Sequence, residues 1–126
     1  MSNLASKYSN GRIQATLAAV AGAAGALNLI NDSDDVLLIE DVSVRVTGTV
    51  AGQTLRVGVG TAGADLDNLI DDGSIAAAGR LSNGTSPGTN GKARQYWLPG
   101  QAITATASGT PTGLAATIDV YAKPVN

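Results

Sequence analysis

The sequence predicts an all-β domain, an antiparallel β-sandwich of jelly-roll-like type with about eight short strands. Three observations predict it. Aliphatic residues recur at every second position in several segments, as strands with one buried face require. Each segment is short and closed by Gly, Pro, Asn, Asp or Ser. No long segment keeps a helical period of 3.6 residues. The length of 126 residues suits one domain. We divide it into a flexible, polar N-terminal arm over 1–11 and a β-sandwich over 12–126.

The first strand is expected from about Arg12 to Ala21, where Ile13, Ala15, Leu17 and Ala19 alternate with Arg12, Gln14, Thr16 and Ala18. A second spans about Ala26 to Ile30 and ends in the acidic turn Asn31-Asp32-Ser33-Asp34-Asp35. The Ala-rich composition also allows a helix from Leu17 to Ile30, which Gly22 and Gly25 weaken. The mostly apolar stretch Ile13 to Ile30 is a poor signal peptide and a poor membrane span. It is Ala/Gly-rich rather than Leu-rich, and Gln14, Thr16 and Asn28 interrupt it. No membrane partner is expected.

Val36 to Thr49 is the strongest strand. Val42, Val44 and Val46 face one way, and Ser43, Arg45 and Thr47 the other. Val36-Leu37-Leu38-Ile39 is apolar on both faces, and Glu40-Asp41 marks a bend or bulge between the halves. Gly48 to Gly52 reads as a hairpin loop into Gln53–Val59, with Leu55, Val57 and Val59 inward. Gly60 to Gly73 reads as loop with a helical turn over Asp65–Leu69, and Ser74 to Leu81 as a short strand. Ser82 to Lys92, rich in Gly, Ser, Thr and Asn, reads as an exposed, mobile loop. Ala93 to Leu98 is a strand, Gln101 to Ser108 another, and Leu114 to Ala122 the last. The final two read as an antiparallel hairpin, with Ile103, Ala105, Ala107, Ala116, Ile118 and Val120 inward.

The apolar content comes from 21 Ala and 29 Val, Ile and Leu, with one Trp, three Tyr and no Phe. Alanine buries little area, whereas a fully buried aliphatic side chain contributes roughly 1.5–3 kcal/mol. Such a thin core favours a further protein–protein interface. The chain has neither Cys nor His, which removes thiol nucleophiles, the usual histidine base and the commonest zinc ligands. No spacing nominates a catalytic pair, so an enzyme is not expected, nor a cofactor. The eight basic residues are scattered along a chain of net charge −2, which argues against nucleic acid as a partner.

Several motifs have bland readings. Gly58-Val59-Gly60-Thr61-Ala62-Gly63 matches a dinucleotide-binding glycine pattern, but that site needs a following helix and an acidic residue about 20 positions on, which residues 78 to 84 lack. Asp65, Asp67, Asp71 and Asp72, and again Asp32, Asp34 and Asp35, are dense enough to offer oxygen ligands to Ca²⁺, though without EF-hand spacing. Solvated turns are the default for both. Asn31-Asp32-Ser33 and Asn83-Gly84-Thr85 match the glycosylation sequon. Tyr96 and Trp97 are adjacent, so in a strand one faces the core and the other outward. An outward aromatic is a candidate interface anchor.

Three blocks in the C-terminal part carry a family resemblance. They are Leu55-Arg56-Val57-Gly58-Val59-Gly60-Thr61-Ala62-Gly63-Ala64-Asp65, then Tyr96-Trp97-Leu98-Pro99-Gly100-Gln101-Ala102-Ile103-Thr104-Ala105-Thr106, then Gly109 to Gly113 with Ala116-Thr117-Ile118-Asp119-Val120-Tyr121. In style and order they resemble the small capsid-decoration (cement, or head-stabilising) proteins of tailed phages. The resemblance implies a structural virion protein on the capsid exterior, made in the bacterial host cytoplasm. It implies a homotrimer that bridges major capsid protein subunits. The candidate partner contacts are Lys7, Tyr8 and Arg12 in and beside the arm, with Tyr96 and Trp97. A carbohydrate- or receptor-binding sandwich of a phage fibre or spike is the alternative, with Trp97, Tyr96 and the loop Ser82–Lys92 as its site.

Overall fold

Among the described residues the chain forms nine strands: β1 (Arg12–Ala18), β2 (Leu27–Ile30), β3 (Leu37–Gly48), β4 (Thr54–Gly60), β5 (Ile70–Ser74), β6 (Gly79–Ser82), β7 (Gln95–Trp97), β8 (Ala102–Ala107) and β9 (Ala115–Pro124). The structure, a computed structural model, describes residues 12–18 (as backbone), 27–109 and 113–125. The arm over 1–11 and residues 19–26 lie outside them, so of the helix weighed for 17–30 only the ends are described, and both are strand. No helix occurs among the described residues.

Two antiparallel sheets result. The first runs β1-β9-β3-β6, with β7 also pairing β3, and the second runs β2-β8-β4-β5. β6 and β7 share one edge of β3: β6 lies along Ser43–Val46 and β7 along Leu37–Ile39. The pairing is nested. β1 pairs β9, β2 pairs β8, β3 pairs β6 and β7, and β4 pairs β5. A double-stranded ribbon closed at β4–β5 is thereby folded over, and β9·β3 and β8·β4 contacts knit it into layers.

The core lies between the layers. The first sheet contributes Leu37, Ile39, Val42, Val44, Val46, Trp97, Ile118 and Val120; the second contributes Leu55, Val57, Val59, Ile70 and Ile103, all in one apolar cluster. Every residue read as inward on β3, β4, β8 and β9 is buried. The bulge expected at Glu40-Asp41 is present: Ile39 pairs Ala122 and Asp41 pairs Tyr121, leaving Glu40 over. The extra residue restores the phase, so that Ile39 and Val42 both point inward.

Both expected hairpins are corrected. β3 and β4 lie in different sheets, as do β8 and β9. Gly48–Gly52 therefore carries the chain from one sheet to the other. Alternation fixes which face of a strand is buried; opposing layers satisfy it as well as neighbouring strands do. The loop reading of Gly60–Gly73 holds over 61–69, without the expected helical turn, and is corrected from Ile70, where β5 begins. β5 is bulged at Asp71-Asp72, opposite Arg56 on β4, and Asp72 takes φ 55°. Asp tolerates this left-handed conformation better than most residues. The strand expected over Ser74–Leu81 is shortened to β6.

The loop Ser82–Lys92 lies at the surface and makes several hydrogen bonds to the rest of the fold. Asn83 is buried; its Oδ1 accepts from Val42 N–H at 3.1 Å and its Nδ2 donates to the Lys92 and Ala93 carbonyls. Asn90 N–H donates to Asp71 and its Nδ2 to Asp67. Lys92 N–H donates to the Asn68 carbonyl.

Candidate functional site

The Tyr96–Trp97 pair splits as strand geometry requires. Trp97 has no exposed surface, and its indole N–H donates to the Gln101 carbonyl at 2.9 Å. Tyr96 stands on the opposite face of β7, 59% exposed. Trp97 is therefore corrected from candidate contact to core residue, since a side chain without surface offers none to a partner. The carbohydrate-binding alternative loses the Trp97 indole for the same reason.

Around Tyr96 lies an open groove formed with Leu38, Lys92, Arg94 and Gln95. Leu38 is the direct cross-strand partner of Tyr96, and Lys123 of β9 flanks Leu38 on the other side. The second apolar face read for Val36–Ile39 is thus half-buried Leu38 beside an exposed tyrosine. Lys123 is held by Glu40 at 3.4 Å. Of the other candidates, Lys7 and Tyr8 lie outside the described residues. The backbone of Arg12 pairs with Tyr121, itself exposed on the outer face of β9.

Farther along the same edge of β3, Arg45 stands directly opposite Arg80. Both are exposed, and they line a second groove with Val46, Thr47, Ala78 and Gly79. Like charges directly opposed on a sheet destabilise it slightly.

The glycine motif has a packing role. Gly58 and Gly60 are strand residues of β4, and the chain after Gly60 folds back across the outer face of the second sheet. A Cβ on Gly58 would sit 2.5 Å from Leu66 Cβ and 2.7 Å from Asn68 Oδ1; one on Gly60 would meet Leu66 at 3.2 Å. Glycine is required because the strap 61–69 presses on the strand there. Asn68 completes the strap: its Oδ1 accepts from Val59 N–H at 2.8 Å, and its Nδ2 donates to the Val59 carbonyl at 3.0 Å. The amide thus pairs with the strand as a neighbouring backbone would.

The Asp65–Asp72 group is spent on protein partners, with Asp67 and Asp71 both accepting from Asn90. Arg56 lies between Asp65 and Asp72, with 2.8 Å contacts to each. The Asp72 hydrogen bond, then the Asp65 charge, hold its guanidinium above its ordinary titration range. Among the described residues no three acidic side chains converge as metal ligands would. Both sequons are structural. Asn31 is buried and donates to the Asp35 and Trp97 carbonyls, while its Oδ1 accepts from Ser33. With Asn83 equally engaged, neither amide nitrogen is free for a glycan.

Comparison with protein-family models, curated proteins and solved structures gives no match. The geometry therefore stands alone. Sequence reading located Tyr96 through its neighbour Trp97. It missed Leu38, Arg94 and the Arg45–Arg80 pair, because strand register across β3 is what brings them together. The signal that was legible is the outward placement of Arg45.

Proposed function

We propose that the chain is a jelly roll that acts by binding rather than turnover, as a structural virion protein on the outside of a phage capsid. In this reading it stabilises the shell by bridging major capsid protein subunits, as a homotrimer. The nested pairing supports the jelly roll, a ribbon rolled into two layers. The blocks that carry the resemblance to decoration proteins occupy β4, β7, β8 and β9, which lie within one sandwich. The single observation that carries the functional reading is the open back of the first sheet, where Tyr96 is 59% exposed beside Leu38 and unpaired cations. Repeated over a shell, many weak contacts of this kind sum through multivalency.

The test is co-sedimentation of purified protein with empty shells of the phage that encodes it. Saturable binding, with shells that survive higher temperature, is expected. Absence of both overturns the reading. Sedimentation velocity of the free protein tests the trimer, and a monomer at all concentrations would reject it.

A further inference from the structure

Among the described residues, Arg45, Arg80, Lys92 and Arg94 are exposed and form no ion pair, whereas Arg56 and Lys123 each hold a carboxylate. The four lie on one edge. Arg80 of β6 opposes Arg45, and Lys92 and Arg94 lead into β7 beside Tyr96 and Leu38. Glu40, on the same strand as Arg45, is already taken by Lys123. The Arg45–Arg80 opposition is unfavourable in the free protein. A carboxylate from outside would reverse its sign, because guanidinium forks bind carboxylates bidentately.

We propose that the β6/β7 edge of the first sheet is the docking face, and that its occupant is an acidic segment of a partner protein. Carboxylates sit between Arg45 and Arg80 and beside Lys92 and Arg94, and an apolar side chain packs on Tyr96 and Leu38. Tyrosine and arginine are the residue types that dominate interface energetics. Leu38 and Arg45 are about 20–25 Å apart at the rise of a strand, so an extended segment of about seven residues spans both ends. The apolar Tyr96–Leu38 element and the short run of cations favour a protein over a nucleic acid, whose footprint is a longer basic stripe. The inference rests on the shell-binding reading for the partner's identity and not for its chemistry.

The test uses immobilised poly-L-glutamate as the probe, with wild type, Arg45→Glu/Arg80→Glu, Arg94→Glu/Tyr96→Ala and Arg45→Lys/Arg80→Lys. Wild type should bind in a salt-sensitive manner. The charge-reversed variants should bind about tenfold more weakly or worse, equivalent to about 1.4 kcal/mol. The lysine variant should fall between. All four positions are exposed, so melting temperatures should stay at the wild-type value, which excludes misfolding. Equal binding by wild type and variants overturns the inference, as does tighter binding to heparin or duplex DNA lost in the same variants. Loss of self-association without loss of poly-L-glutamate binding also overturns it, by assigning the face to a second copy. The shell assay separates the two readings. Shells that bind variants as well as wild type sink this inference alone. No shell binding, with face-dependent poly-L-glutamate binding intact, sinks the shell reading and leaves this one standing.

Discussion

The two sheets share one core and differ in what lies behind them. The second sheet is closed by its own chain, since Leu66 and Asn68 cover Gly58 and Gly60. Thr104 and Ala102, the cross-strand partners of those glycines, have no exposed surface, and all of β8 is buried on both faces. The first sheet carries Arg45, Thr47, Tyr121 and Lys123 outward, all exposed, although Ser43 on the same face of β3 is buried. The difference teaches how to read outward positions. Where they are mostly Gly and Ala, another layer of chain fits over the strand. Where Arg, Lys and Tyr predominate, the face is left for solvent or for another molecule.

The largest effect should come from forcing the closed back open. Gly58→Val places a branched side chain where Leu66 and Asn68 already lie. Overpacking costs about 1–3 kcal/mol, and displacing the strap also breaks the Asn68 pairing, so a loss of about 3 kcal/mol is expected. Thr47→Val, the matched change on the open back, should stay within about 0.5 kcal/mol. Urea denaturation of the pair measures both. Similar losses at the two positions would abolish the distinction between the sheets.

Asn68→Ala is the next step down. It leaves the Val59 N–H and carbonyl without the bonds of 2.8 and 3.0 Å that the amide supplies. Unsatisfied groups at a partly buried site cost about 1–3 kcal/mol, so a loss of about 2 kcal/mol is expected. Val59 amide exchange should rise in parallel.

This contrast was only half legible in the sequence. The inward residues of β3, β4, β8 and β9 follow from alternation alone, and so did the bulge at Glu40-Asp41. Partner strands did not follow, because Ile103 and Ile118 satisfy the same pattern whether their strands are neighbours or face each other across the core. β5 was hidden by its own bulge, which places two acids in mid-strand to meet Arg56. The strap was hidden because glycine spacing reads equally as a turn or as room for another segment. At the candidate site, the split between Tyr96 and Trp97 was legible from adjacency, but which one was buried was not. The Arg45–Arg80 pair required the β3–β6 register, which no local pattern encodes.

Thr104→Val sharpens the comparison in the opposite direction. Thr104 Oγ1 is buried without a hydrogen-bond partner. Replacing the hydroxyl by a methyl of the same shape removes a desolvation cost, and a gain of about 1 kcal/mol is expected. A loss of stability would mean that the closed back is wet.

The smallest effect should lie at the rim of the closed back. Arg56→Gln breaks the contacts to Asp65 and Asp72, but the Arg56 side chain is 40% exposed and water screens the network. Exposed pairs contribute about 0.2–1 kcal/mol, so a loss of about 0.5 kcal/mol is expected. Arg56 titrates above its ordinary value in the folded state, first through the Asp72 hydrogen bond and then through the Asp65 charge. A raised value means that its contribution is fully present below the ordinary guanidinium range and is lost only as pH climbs through the higher folded value. Salt rather than alkali is therefore the lever. At about 1 M salt the screening length falls to about 3 Å, and wild type and Arg56→Gln should converge in melting temperature. If the gap between them persists at that ionic strength, the rim is held by packing of the Arg56 stem and the strap is sealed to its edge.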